Sequence, residues 1–515
     1  MRILLIYPEM PDSYWAMKHV LKIVGKQSWY PPLGLMTVAA MLPIEWKNKL
    51  VDLNVNTLTD EDLKWADYVF ISSMNVQELS VRQIIARCKE IGVKMVAGGP
   101  LFTNEYERFK EIDHLVLNEA EITLPLFLED LNNGNSRHIY SSSEFADVHQ
   151  TPLPQWELTN LNHYQSAIVQ YSRGCPFQCD FCDVTTLFGH LPRVKTPEQI
   201  IAEIELFAEH FNFLLFADDN LIGNKKHLKN ELLPALIEWR KINKPAISFG
   251  TQLTITLADD PELMSLMLEA GFRQIFVGIE TPEEESLISC RKRQNIKRDL
   301  LENVKRLHRA GFIISGGFIV GFDTDTPSIF QKQVNFIQES GIVTAGVNLL
   351  KAPPGTELYE RMKREGRLLE RFSFDEVKTN FIPKMDPDIL YNGLKNVLQN
   401  IYSPEKIYKR IKIFLQQYQS PKVETSIRRI KYRKHLKVIL RTIFYIGILE
   451  NTRKYFWKLI IWTFLKKRNH LNFAFINSIM MYQLHKLAQS YYNDSDNVNN
   501  YSTNSEVQEY KQMAN

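Results

Sequence analysis

Three of the chain's five cysteines lie in one loop. Cys175, Cys179 and Cys182 are spaced C-x3-C-x2-C within YSRGCPFQCDFCDV, Tyr171 to Val184. A structural zinc site wants four ligands, usually as two separated pairs. Here no fourth cysteine is within sequence reach: Asp180, Asp183 and His190 are nearby and Cys290 is distant. Iron–sulfur clusters are held by cysteine thiolates. Three cysteines on a four-iron cluster leave one iron open to a substrate or cofactor, as a catalytic metal site keeps an open position. The cluster reading therefore explains the number three, with zinc as the alternative.

Five cysteines in 515 residues do not make a disulfide framework. The opening MRILLIYPEM reads as a buried strand, not a secretory signal, because its apolar run is short and leads straight into patterned sequence. A reducing cytoplasm is the expected setting, where clustered cysteines mean metal or redox chemistry. The length predicts two to four domains.

Residues 1–140 alternate short apolar runs with helical patterns. RILLIYP, KLVDLNV, YVFISSM, KMVAGGP and HLVLNEA read as strands, with GLMTVAAML and VRQIIARCKEIG as helices between them. This alternation predicts an α/β domain with a doubly wound, Rossmann-like parallel sheet. Such sheets bind ligands beyond the carboxyl ends of their strands. Ser72, Gly98, Gly99 and Glu119 fall in those turns. Each also has an ordinary reading as turn or cap chemistry. No G-x-G-x-x-G opens the first unit, which argues against a nicotinamide or flavin dinucleotide.

Residues 165–370 alternate again. AIVQYSR leads into the cysteine loop; FLLFADDN, AISFGTQL, QIFVGIET, ISGGFIVGF and TAGVNLLKAPPGT follow as strands with helical segments between them. Six such units fit a partial (β/α)6 barrel, whose active residues would lie at the strand C-termini.

The cysteine spacing, with Phe181 just before the last cysteine, resembles the signature of the radical S-adenosylmethionine (SAM) superfamily. Arg173-Gly174-Cys175-Pro176 is similar to the form used by its cobalamin (B12)-binding branch. The resemblance implies that Cys175, Cys179 and Cys182 hold a [4Fe-4S] cluster and that SAM chelates the open iron. Reductive cleavage would then yield methionine and a 5′-deoxyadenosyl radical. It further implies SAM contacts at Asp218, Asp219 and Asn220 (methionyl part), Glu280 (ribose), and Gly317 and Gly321 (adenine), with Lys351–Thr356 as the last barrel loop. The first domain becomes a cobalamin domain, with Ser72, Gly98, Gly99 and Glu119 as candidate cobalamin contacts. The cobalt-ligating D-x-H-x-x-G pattern is missing: Asp147-Val148-His149 begins like it but lacks the glycine. Methylthiotransferases share this layout but use three N-terminal cysteines, whereas only Cys88 is present here, on a helix and expected to be buried. Cys290 is read as structural.

Residues 371–490 are expected to be helical, and 493–515 to be a disordered tail. From 422 to 468, fourteen basic residues face two acidic ones among long apolar and aromatic stretches. The longest uncharged run is shorter than the ~20 residues a spanning helix needs. Basic amphipathic helices carrying Trp457 and Trp462 fit peripheral contact with the anionic inner face of the cytoplasmic membrane; a solvated basic face is the plain alternative. Nucleic acid is disfavoured as a partner because large apolar side chains dominate. MRILLIYPEMPDSYW, PPLGLMTVAAMLP and VDLNVNTLTDEDLKWADYVFISSM resemble the subfamily that includes the hopanoid C-2 methylase, which implies a lipid substrate.

Three readings stay open at this level. The first is cobalamin-dependent C-methylation of an unactivated carbon in a small molecule or membrane lipid, with an external electron donor such as flavodoxin or ferredoxin. The second is radical SAM oxidation, cyclisation or rearrangement without methyl transfer. The third is a non-catalytic, membrane-attached corrinoid or metal-binding protein.

Overall fold

The computed structural model describes residues 1–369, 378–421 and 432–498. The first sheet contains β1 (Arg2–Tyr7), β2 (Lys47–Asp52), β3 (Tyr68–Ser72), β4 (Lys94–Gly98), β5 (His114–Val116) and β6 (Ile139–Tyr140). All pairs are parallel, in the order β2-β1-β3-β4-β5-β6. Its central strands β1, β3 and β4 carry continuous apolar runs because helices cover both faces. Leu4 and Ile6 pack with Val69 and Ile71 on one side, while Ile3 and Leu5 pack with Phe70 and Phe127 on the other. Strand β6 was not expected. At two residues it is too short to carry a periodicity.

The second sheet contains β7 (Ala167–Val169), β10 (Phe213–Phe216), β11 (Ser248–Leu253), β12 (Phe272–Glu280), β13 (Ile313–Val320) and β14 (Thr344–Leu349). It is wholly parallel, in the order β14-β13-β12-β11-β10-β7. Between β7 and β10 lies a short antiparallel hairpin of β8 (Ser172–Arg173) and β9 (Arg193–Val194). Every strand anticipated in 165–370 is present. On β12, Ile275, Val277 and Ile279 are buried against the covering helices. Alternation therefore turns Phe276, Gly278 and Glu280 to the opposite, inner face. Phe216, Phe249 and Phe272 interlock in the core, with ring centroids 5.0 to 5.4 Å apart.

The loop after β1 reaches into this second sheet. The Tyr14 hydroxyl donates to the Thr344 carbonyl at 3.3 Å, and the Trp15 ring tilts over Phe276 at 4.9 Å. Helices Pro387–Ile401, Pro404–Gln417, Arg453–Lys466 and Leu471–Val498 follow the barrel segment. They join its core through Phe414 and Leu415 and through the fully buried Arg410. That guanidinium bonds Gln338 at 2.6 Å and the Ile401 and Val343 carbonyls. The last helix includes 493–498, which composition had assigned to a disordered tail; 499–515 lie outside the described residues. Among the described residues, no helix is long and apolar enough to cross a membrane.

Candidate active site

The cysteine loop is strung across the carboxyl ends of the second sheet and tied down at both ends. Where it begins, the Asp218 carboxylate at the end of β10 accepts from the backbone N–H groups of Tyr171 and Ser172 and from the Ser172 hydroxyl. Gly174 then turns the chain at φ +96°. A Cβ there would lie 2.9 to 3.0 Å from the carbonyls of Phe188, Gly189 and Leu191, so only glycine fits that approach. Further on, Asp180 N–H donates to the Cys290 carbonyl at 3.1 Å and Leu358 N–H to the Asp180 carbonyl at 2.8 Å. The Phe181 ring meets Phe322, beyond β13, edge-on at 6.2 Å. The aromatic residue before the last cysteine thus anchors the far side of the loop.

All three loop cysteines remain partly exposed, whereas Cys88 and Cys290 are buried. Cys88 lies in the helix-covered core of the first sheet, and Cys290 packs with Phe322, Leu350 and Ala352. Two side-chain amides point at loop sulfurs. Asn220 Nδ2 is 3.9 Å from Cys175 Sγ, and Gln294 Nε2 is 3.6 Å from Cys179 Sγ. Burial pushes the Cys182 and Cys175 thiols up as free groups. The compensating charge is Lys292, buried and 2.6 Å from Glu280. Burial works against its ammonium, but Glu280 and then Cys179 outweigh it, so its pKa stands above the ordinary value.

The proposed SAM residues divide by what they touch. Asp219 and Asn220 meet the loop after β10, and burial, with Asp218 and Asp183 adding to it, pushes the Asp219 carboxyl up to about 7. Glu280 ends β12 at φ +64°. Asp218 is at the expected strand end, but both its oxygens serve the cysteine loop. Gly317 sits on the inner face, where a Cβ would strike the Phe276 ring at 2.8 Å. Gly321 instead lies against Leu350 and Leu390, with its N–H donating to Asp325.

The proposed cobalamin residues divide in the same way. Ser72 and Gly98 are register partners at the ends of β3 and β4, and Gly99 lies against the Ser72 hydroxyl and the Ser73 backbone. Glu119 is otherwise employed. One oxygen is 2.9 Å from Arg173 and the other 2.8 Å from Arg193, while Ala146 N–H donates at 2.7 Å. Arg173 also pairs with Glu121 at 2.8 Å. The loop at the edge of the first sheet is therefore bolted to the hairpin that carries the cysteines. His149 is exposed and pairs with Asp147 at 2.8 Å.

The donor set fits the implied groups. Asp219 Oδ2, Asn220 Oδ1, Gln294 Oε1 and Asn295 Oδ1 are buried without a hydrogen-bond partner beside the cysteines, as is Ser73 Oγ at the first sheet's edge. Buried polar atoms normally engage a protein group, a water or a ligand, so these are free to meet the implied groups. Among the described residues, no three His, Cys, Asp or Glu side chains converge on a single ion. Sequence reasoning missed Lys292, Gln294 and Asn295, which lie in a basic stretch, CRKRQN, that reads as surface. It also missed Arg193, whose partner Glu119 is 74 positions away.

Comparison with known proteins matches the description "B12 binding domain" to residues 23–128, "Radical SAM superfamily" to 169–337, and a domain of unknown function, DUF4070, to 356–497. An uncharacterised methyltransferase of Synechocystis sp. is 38% identical over 464 residues, covering 89% of this chain and 86% of its own. The hopanoid C-2 methylase of Rhodopseudomonas palustris is 32% identical over 468 residues, covering 89% and 88%. The solved structure of the cobalamin-dependent SAM radical enzyme OxsB aligns with a TM-score of 0.60 at 14% identity, covering 96% of this chain and 81% of that one, and shares the fold. A three-cysteine loop at the mouth of a six-stranded parallel sheet, with this kinship, defines a radical SAM enzyme. The chain belongs to the cobalamin (B12)-binding radical SAM superfamily. Its cofactors are a [4Fe-4S] cluster, SAM and cobalamin, and it draws on an external electron donor to act on a small-molecule substrate.

Proposed function

We propose that the enzyme methylates an unactivated carbon of an apolar lipid, a hopanoid or related membrane polycycle, with cobalamin as the methyl carrier. The observation that carries this reading is the Glu119–Arg173 and Glu121–Arg173 pairing. It fixes the ligand-binding edge of the first sheet against the cysteine loop, the adjacency that methyl delivery to a carbon radical needs. The kinship with methyltransferase-named relatives supports the same chemistry. When bound, the cluster with SAM supplies hydrogen-atom abstraction, and cobalamin supplies the methyl group.

The protein's part is positioning. Cys175, Cys179 and Cys182 hold the cluster, and the Asn220 and Gln294 amides donate toward two of their sulfurs. Asp218 fixes the loop's entry. Asp219, Asn220 and the Glu280–Lys292 pair present polar atoms to SAM. Ser72, Ser73, Gly98 and Gly99 line the cobalamin edge, and Glu119 acts by holding that edge in place.

An apolar substrate is supported by the inner face of the second sheet. Gly278, Gly317 and Gly346 are register partners across β12, β13 and β14; the Glu280–Lys292 pair fills the space over Gly278, while aromatic rings cover Gly317 and Gly346. Phe276 and Tyr14 lie along this face, and Trp15, half exposed, is tilted against Phe276. An aromatic wall of this kind suits a polycyclic hydrocarbon. The basic C-terminal helices support peripheral attachment at the inner face of the cytoplasmic membrane, and a flavodoxin or ferredoxin suits the electron supply.

The test is anaerobic incubation of the reconstituted enzyme with a membrane-lipid extract and SAM bearing an isotopically labelled methyl group. A labelled, methylated lipid is expected. SAM cleavage with a dehydrogenated or rearranged lipid and no labelled methyl would replace methylation with another radical outcome.

A further inference from the structure

Two helical stretches near the C-terminus leave their apolar stripes uncovered. Leu436, Leu440, Phe444 and Ile448 recur every fourth residue and are each more than half exposed. Trp457, Ile461, Phe464 and Leu465 form a second stripe along Arg453–Lys466, with Leu465 70% exposed. The opposite sides of these stretches are satisfied: Ile446, Phe456 and Leu459 are fully buried, and Ile446 and Phe456 pack with Val20 and Ile23. Solitary exposed apolar residues are ordinary, but paired stripes on adjoining helices mark an interaction surface.

Charge selects the partner. Between 432 and 468 stand ten basic residues and one acidic residue, Glu450, which is turned to Lys486 at 3.0 Å. Beside the second stripe, Tyr408, Lys412, Lys454, Lys458 and Trp462 line a shallow, open groove. The ammonium of Lys412 lies 4.9 Å over the Trp462 ring, and that of Lys458 5.4 Å over Tyr408. Glu405 is the neighbouring acid, and it is paired with Lys409 at 2.7 Å. None of the three groove lysines has an ion-pair partner among the described residues.

We infer that this groove is a binding site for the phosphate headgroup of an anionic phospholipid, and that the two stripes enter the bilayer around it. Lysines over aromatic rings provide a cationic floor at the depth where tryptophan and tyrosine favour the membrane interface. The apolar stripes account for the acyl region, which a soluble phosphate compound would leave uncovered. The inference deepens the membrane-lipid reading by naming the surface and headgroup class, and it is tested apart from catalysis.

Full-length protein is mixed with vesicles of phosphatidylcholine alone or of phosphatidylcholine with phosphatidylglycerol, without SAM or reductant, and co-sedimentation is measured. Binding is expected only to the anionic vesicles, falling as salt rises. The double variant Lys412→Ala/Lys458→Ala should partition roughly thirtyfold more weakly, as about two lost basic contacts imply. Ile461→Asp/Phe464→Asp should abolish binding. Both variants should keep wild-type SAM cleavage once reconstituted, which separates this surface from the active site. Equal binding to both vesicle types, anionic binding untouched by the lysine substitutions, or self-association through these stripes without vesicle binding would overturn the inference.

Discussion

The Arg173 guanidinium lies 2.9 Å from Glu119, with 12% and 2% of the two side chains exposed. It therefore joins the loop that carries the three cysteines to the sheet edge proposed for cobalamin. Removing Arg173 strands the buried Glu121 carboxylate, while Glu119 keeps Arg193; breaking a buried pair in this way costs about 3–5 kcal/mol. Arg173→Met should lower urea stability by that order, while Arg173→Lys retains part of it. In the Lys variant, reconstituted with full cluster and cobalamin, 5′-deoxyadenosine per methylated product should rise. An unchanged ratio would make the pair a purely structural clamp.

Acid should loosen the same clamp. Burial alone would raise the Glu121 carboxyl, but Arg173 and Thr151 outweigh it and hold it at about 2, below its ordinary 4.5. A carboxylate depressed on folding stabilises fully above its unfolded value and loses that contribution as pH falls through its folded one. The full contribution is about 3 kcal/mol, from roughly 1.4 kcal/mol per pH unit. Urea midpoints of wild type and Glu121→Gln should differ most near neutral pH and converge as pH falls through about 4 to 2. A constant difference would refute the linkage.

Hydrogen bonds to cluster sulfurs are among the levers on reduction potential. A donor favours the more negative, reduced state. Gln294→Leu, which removes the amide 3.6 Å from Cys179 Sγ, should therefore lower the cluster midpoint. Redox titration followed by electron paramagnetic resonance reads this directly. A midpoint equal to wild type would mean the amide serves another group.

Gly278 gives room to the Glu280–Lys292 pair. A Cβ there would fall 2.3 Å from Glu280 Oε1 and 2.9 Å from Lys292 Nζ. Gly278→Ala should displace the pair, cost about 1–3 kcal/mol as overpacking does, and weaken SAM binding in equilibrium dialysis. Intact SAM affinity would place the pair outside the SAM site.

Much of this was legible in the chain because the determinants are local. The buried strands declare themselves as runs such as RILLIYP, and the cysteines carry their chemistry in their identity. The purposes of Asp218 and Glu119 were not legible. Both sit at the strand ends the sequence pattern marks, but their carboxylates are spent on Ser172 and Arg173, 46 and 54 positions away. Lys292 was hidden in a basic run, since nothing local distinguishes a buried lysine from its solvated neighbours. The basic, aromatic C-terminal stretch was visible, whereas which of its apolar residues face outward is decided by packing against Val20 and Ile23.

The central claim, that one radical SAM site works together with cobalamin, is tested most directly by anaerobic reconstitution with iron, sulfide and hydroxocobalamin, followed by reduction with SAM present. Retained cobalamin, 5′-deoxyadenosine and S-adenosylhomocysteine are measured in the same sample. Near-stoichiometric cobalamin with both SAM products is predicted, and all cleavage should be lost in Cys179→Ala. Cleavage to 5′-deoxyadenosine with no cobalamin retained and no S-adenosylhomocysteine formed would contradict it.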